Sequence, residues 1–237
     1  MSSQHVVIIG GSAGIGLATA RRLLASGMKV TITGRNEQRL GEARKSLDGA
    51  TAVAMDAAAT DKLSSALSRI GPFDHLVLAF GSSKGMGPFA TISLTEIRQS
   101  FEDKVYPQFA VAQAALPFLS KEGSITFVSS VSAHSAMPGT AGISAANAAV
   151  ASLVPTLAAE LRPLRVNCVS PGVIDTPLWD FLPAEQRQAL FTDYAGKTPV
   201  GRIGKPEDVA QAIAFLVEDS FVTGHNLLCD GGLRWTP

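Results

Sequence analysis

Seven short β-branched runs are spaced along the chain, and most are followed by a longer stretch whose apolar residues recur at helical spacing. The runs are Val6 to Ile9, Val30 to Thr33, Thr51 to Met55, His75 to Ala79, Ser124 to Ser129, Arg165 to Val169 and Asn226 to Cys229. Such alternation restricts the chain to a parallel sheet covered by helices. The spacing predicts helices from Gly14 to Ser26, closed by Gly27, and from Asn36, an N-cap, to Leu47. Further helices are expected over Thr60 to Ile70, Thr95 to Leu119, Ile143 to Leu161 and Pro206 to Val217. No repeat, charge block or low-complexity tract divides residues 1–237, so a single domain is expected. The stretch Pro171 to Arg202 breaks the alternation. It is rich in Pro, Asp and Thr and carries Trp179, Phe181 and Tyr194, so it reads as an irregular substrate lid at about residues 175–202.

Composition narrows the function classes. Twenty Lys and Arg balance twenty Asp and Glu, which leaves no basic field for a phosphodiester backbone or an anionic lipid surface. Nucleic-acid and membrane partners are therefore disfavoured, and no 18-residue uncharged apolar run is read as a membrane span. The N-terminal MSSQHVVIIGG reaches a glycine turn after four apolar residues, too short for a signal-peptide core. Cys168 and Cys229 lie in apolar stretches, as packing residues rather than a disulfide framework, which suits a reducing compartment. A cytoplasmic protein is expected, without a metal.

Directly after the first strand, Gly10-Gly11-Ser12-Ala13-Gly14-Ile15-Gly16 opens a helix. Glycine there permits a positive φ, close approach of backbone to a pyrophosphate, and tight packing of helix on strand. The helix N-terminus then points N–H groups and partial positive charge at the phosphates. A dinucleotide site is the reading, with Gly10, Ser12, Ala13, Gly14 and Ile15 on it. The end of the second strand selects the nucleotide. An NAD site places a carboxylate there for the ribose hydroxyls, whereas this chain has Thr33-Gly34-Arg35-Asn36. A guanidinium at Arg35 pairs with a 2'-phosphate, so NADP(H) is the expected cofactor, held by Arg35 and Asn36.

Taken with Asp56 after strand three, Ser130 after strand five, Asn167-x-x-x-Pro171-Gly172 after strand six, Thr223-Gly224 and Asp230-Gly231-Gly232, these motifs give a chain that resembles the short-chain dehydrogenase/reductase family over essentially its full length. The resemblance implies a Rossmann-like, doubly wound α/β fold with a seven-stranded parallel sheet, commonly assembled as a homodimer or homotetramer through the fifth and sixth helices. It also implies that Asp56 and Ala57 flank the adenine, and that Pro171, Gly172, Ile174 and Thr176 line the nicotinamide and phosphates, with Ile174 near the carboxamide.

The departures from that family bear directly on chemistry. Leu78-Ala79-Phe80-Gly81 stands where the family has Asn-Asn-Ala-Gly, and Lys104 replaces the family's helix-five Asn. The Tyr-x-x-x-Lys motif, counted from Ser130, falls on Ile143 and Asn147, and no Tyr-x-x-x-Lys exists in the chain. In the motif the ammonium lowers the phenol pKa, and the phenol exchanges a proton with the substrate. A positioned acid/base is worth on the order of 10² to 10⁴ in rate. The replacement candidates are Lys104, facing the inner site, and His134, four residues past Ser130; Tyr194 on the lid is a further one. Ser130 would orient a substrate oxygen. Two residues along a helix is about 200° of rotation, so an inward Lys104 sends Tyr106 outward. Pro107 and Pro155 are expected to bend the fifth and sixth helices.

Three functions remain open on the sequence. One is an NADP(H)-dependent oxidoreductase acting on a small carbonyl or hydroxyl compound. A second is a non-redox cyclase, isomerase or lyase that keeps the nucleotide as an orienting element, and a third is a catalytically silent NADPH-sensing or partner protein. Trp179, Phe181, Leu182 and Phe191 are the expected apolar wall of the substrate pocket.

Overall fold

The computed structural model describes residues 3–235. Seven parallel strands form one sheet, in spatial order β3-β2-β1-β4-β5-β6-β7. Their bounds are β1 His5–Ile9, β2 Lys29–Gly34, β3 Thr51–Ala54, β4 Phe73–Leu78, β5 Leu119–Val128, β6 Arg165–Pro171 and β7 Asn226–Cys229. The helices are α1 Gly14–Ala25, α2 Glu37–Lys45, α3 Leu63–Ile70, α4 Leu94–Ser100, α5 Tyr106–Ala115, α6 Ala141–Glu160, α7 Ala184–Lys197 and α8 Pro206–Glu218.

The strand sequences explain the layering. In β1 every residue is buried, as expected when helices cover both faces of a parallel sheet. Successive side chains still go to opposite sides. Val6 and Ile8 join Ala20, Leu23, Ile213 and Leu216 under α1 and α8, while Val7 and Ile9 join Leu67, Val111, Val150 and Val154 under α3, α5 and α6. Each fully buried aliphatic side chain contributes roughly 1.5–3 kcal/mol. The two cores therefore fix the sheet order and, with it, the place where the winding reverses. That place lies beyond the carboxyl ends of β1 and β4, where such sheets bind ligands.

The helix expected over Thr95 to Leu119 is divided. After α4 the backbone widens into a π-helical turn, Phe101–Val105, and resumes as α5, which a 3-10 turn at Leu116–Phe118 closes before β5 starts at Leu119. Pro107 has no N–H for the Asp103 carbonyl, and it sits in the first turn of α5, immediately after the π turn. Pro155 stays inside α6. The stretch expected to be irregular also differs, because residues 184–197 form α7, whose buried residue is Phe191. The reading that the chain has no span-length apolar segment is likewise corrected: α6 is 20 residues long and holds an 18-residue window of mean hydropathy 1.4, enough to cross a membrane by length and composition alone. Here its Ala146, Val150, Val154 and Ala158, spaced by four, form a buried stripe, with Val150, Val154 and Ala158 in the core that also holds Val111 and Val166.

Candidate active site

One cavity of about 380 Å³ opens at the switch point, lined from β1 to α7 by residues distant in sequence. Its floor is the glycine turn. Gly10 has φ +83° and its absent Cβ would meet the Ala79 carbonyl at 2.8 Å; a Cβ on Gly16 would stand 2.2 Å from the Gly10 carbonyl oxygen. Only glycine permits β1, β4 and α1 to meet this closely. The N-cap of α1 is Ala13, which has no side chain to cap the first-turn amides. Those N–H groups need an acceptor, and a pyrophosphate at a helix N-terminus supplies one. The residues thus fit a dinucleotide. Gly10, Ser12, Ala13, Gly14, Ile15, Ala79, Phe80, Gly81, Pro171, Gly172, Ile174 and Thr176 all line the cavity.

Five expected site residues are not part of the cavity lining. Arg35 is solvent-exposed, and the guanidinium-bearing residue on the cavity wall is Arg39. Asn36 acts as the α2 cap, its Oδ1 accepting from the Arg39 amide at 2.9 Å. That cap sets the first turn of α2, and so places Arg39 beside the glycine turn. Asp56 is exposed and turns back on its own loop, accepting from the Ala58 amide at 3.1 Å; neither it nor Ala57 lines the cavity. His134 is exposed too, and its Nε2 lies 2.6 Å from the Asn226 side-chain amide, outside the cavity.

The inner end gathers Ser130, Lys104, Ile143 and Asn147. Ser130 caps the 3-10 turn Val131–His134, its Oγ accepting from the Ser132 amide at 3.3 Å. Lys104 leaves the π turn and is only 5% exposed, whereas Tyr106 is 55% exposed. The inward lysine and outward tyrosine match the expected helix rotation. Lys104 Nζ donates to the Ser129 carbonyl at 3.2 Å, and among the described residues no Asp or Glu lines the cavity. Burial without a counter-charge pulls its pKa down to about 8. The neighbouring Cys168 thiol, also buried, is pushed up to about 12 and stays neutral.

Asn147 anchors the opposite side. Its Nδ2 donates to the Ile143 carbonyl at 2.9 Å and to Ser132 Oγ at 3.3 Å, while Ser129 Oγ donates to the Asn147 carbonyl at 2.8 Å. Its Oδ1 is buried without a protein partner. Ile143 presents an aliphatic surface and is held by its amide donating to the Gly85 carbonyl at 2.9 Å.

The outer wall is apolar, formed by Met86, Met137, Leu178, Trp179 and the Tyr194 ring. Trp179 is fixed by its Nε1 donating to the Ile174 carbonyl at 2.9 Å and by an edge contact with Phe191. Of the four residues expected to form that wall, only Trp179 does. Phe191 is buried behind it, Phe181 is exposed, and Leu182 lies off the cavity. Arg39, Met86, Met137 and Ser132 went unread in the sequence. Arg39 was discoverable, because a capped helix places its first turn where the cap sits, but the methionines stand in loops with no local pattern.

Comparison with known proteins agrees with this geometry. A family described as enoyl-(acyl carrier protein) reductase matches residues 10–234. The cis-4-hydroxycyclohexanecarboxylate dehydrogenase of Sinomonas cyclohexanicum is 35% identical over 98% of this chain and 96% of its own. The 3-oxoacyl-(acyl-carrier-protein) reductase FabG of Rickettsia bellii is 31% identical over 98% of each chain. A small-chain dehydrogenase solved in complex with NADPH superposes with a TM-score of 0.86 at 26% identity, over 99% of this chain and all of the other.

Proposed function

The chain belongs to the short-chain dehydrogenase/reductase family, and from that premise we propose that it is an NADP(H)-dependent oxidoreductase of small carbonyl or hydroxyl compounds in which Lys104 replaces the missing tyrosine acid. The observation that carries this reading is the buried Lys104 amine in a cavity with no carboxylate and no phenol at its inner end. NADPH bound along the glycine turn would supply the hydride. Arg39, with Arg35 close by on the surface, supports a preference for the 2'-phosphate.

Ser130 Oγ donates a hydrogen bond that orients a substrate carbonyl. As negative charge develops on that oxygen, the ammonium of Lys104 is already in place with no competing anion, which is the arrangement that lowers a barrier most. The proton passes from Nζ to the oxygen and leaves a neutral amine. In the oxidative direction the neutral amine takes the proton from a hydroxyl. Burial supports this role, since an acid works best with its pKa near the operating pH.

The segment at about 175–202 acts as a lid. Trp179 and Tyr194 on it favour apolar substrate bodies, and Arg187, bridging Asp175 and Asp180 at 2.5 and 2.9 Å, ties α7 to the lid's first half. Exposed Tyr106, Phe109 and Leu116 on and after α5 support a homo-oligomer built on that face. The two free cysteines support a cytoplasmic location. The test is titration with NADPH and NADH, followed by NADPH consumption with aldehydes and ketones. Tighter NADPH binding with turnover is expected; binding of neither nucleotide overturns the reading.

A further inference from the structure

The same amine has a second chemistry that requires no nucleotide. We propose that Lys104 is a carbonyl-reactive lysine whose Nζ condenses with apolar aldehydes entering the cavity to form an imine. This goes beyond the reductase reading and does not depend on it.

The setting of Nζ is that of a nucleophile. Its one hydrogen bond runs to the Ser129 carbonyl, which leaves the remaining valences to the cavity. The groups able to hold it as a paired ammonium are engaged or neutral. Asp103, the preceding residue on the π turn, accepts from Ser82 Oγ at 3.0 Å and Gln99 Nε2 at 2.6 Å. Cys168 on β6 stays a thiol. On the β4 side the amine faces Gly81, where an added Cβ would touch Nζ at 3.5 Å, so this residue places no side chain over it. Two surface lysines differ: Lys197 pairs with Asp193 at 2.7 Å and Lys84 with Glu96 at 3.5 Å.

The chemistry balances within these groups. The neutral Nζ lone pair forms a bond to the aldehyde carbon, the carbonyl π electrons move to oxygen, and one Nζ proton passes to that oxygen to give the carbinolamine. Its C–O bond then breaks, the hydroxyl leaves as water with the second Nζ proton, and the nitrogen lone pair closes the C=N bond, with no oxidant or reductant consumed. A desolvated lysine is the form enzymes use for this step. Burial lowers the Lys104 pKa to about 8, so near that pH its neutral form is far more abundant than that of a lysine of ordinary pKa. Met86, Met137, Ile143 and Trp179 select an apolar aldehyde.

The experiment uses the full chain at pH 8, without nicotinamide nucleotide, exposed to limiting benzaldehyde and cyanoborohydride and then mapped by peptide mass spectrometry. The expected first adduct is on Lys104, formed at least about tenfold faster than on any other lysine, given its larger neutral fraction. The Lys104→Arg variant is expected to lose that adduct while its far-ultraviolet dichroism and cooperative melting persist. Labelling spread over surface lysines, with Lys104 unmodified in folded protein, overturns the proposal. NADPH consumption is read in a separate assay, so failure there falls on the reductase reading alone.

Discussion

Replacing Lys104 by methionine keeps the stem and removes the charge, and the structure dictates two opposite consequences. The amine is buried at the end of a π turn with one carbonyl partner and no counter-ion. Its fall from 10.5 to about 8 corresponds to about 3 kcal/mol at 1.36 kcal/mol per decade. That is the cost the folded state bears for holding the ammonium. The folded pKa is depressed, so the native state binds fewer protons than the unfolded chain between pH 8 and 10.5. Wild-type stability therefore rises with pH through that window, and below pH 8 the full cost is present. The variant loses the bond to Ser129, about 1 kcal/mol, and should be about 2 kcal/mol more stable at pH 6, a Tm increase of about 4–8 °C for a chain of this size. By pH 10.5 the gain should vanish. Carbonyl reduction should meanwhile fall about 10² to 10⁴-fold, as expected for a lost acid. Denaturant titrations at pH 6 and 10, paired with NADPH consumption, check both arms. A variant that is less stable than wild type at pH 6, or that keeps wild-type turnover, refutes the reasoning.

The reduction rate of the wild type should decline as pH rises through about 8, since the acid form of Lys104 is lost there; a pH profile of kcat with one neutral substrate checks this. Arg39→Ala should raise the Kd for NADPH about tenfold, the loss of one charge-assisted contact, and leave NADH binding unchanged in the same titration. Gly16→Ala puts a methyl 2.2 Å from the Gly10 carbonyl, so cofactor binding should be abolished and stability reduced by about 2 kcal/mol or more as the backbone is forced apart; calorimetry and titration read the two effects. Trp179→Ala should raise KM for apolar substrates about tenfold with little change in kcat, because the indole lines the outer wall rather than the reacting end.

The sheet was legible because strand and helix periods are local properties, and all seven predicted runs fall on strands of the observed sheet. The floor of the site was legible for a related reason: Gly10, Gly14 and Gly16 answer to backbone geometry that only glycine meets. What escaped depends on tertiary placement. The π turn of Phe101–Val105 has no composition of its own, and α7 begins after Pro183 with a mostly polar sequence that hides its single buried anchor, Phe191. Arg35 precedes the Asn36 cap and Arg39 follows it in the first turn of α2, and of the two only Arg39 lines the cavity. The inward position of Lys104, by contrast, followed from the family resemblance, and helix rotation then placed Tyr106 outward.

The most direct test of the account is deuterium transfer. Protein supplied with NADPH labelled at the nicotinamide C4 and a panel of neutral aldehydes and ketones should place deuterium on the carbinol carbon of a product, and Lys104→Met should suppress that transfer. No labelled product across the panel, or transfer undiminished in Lys104→Met, contradicts the assignment of Lys104 as the acid of an NADP(H)-dependent oxidoreductase.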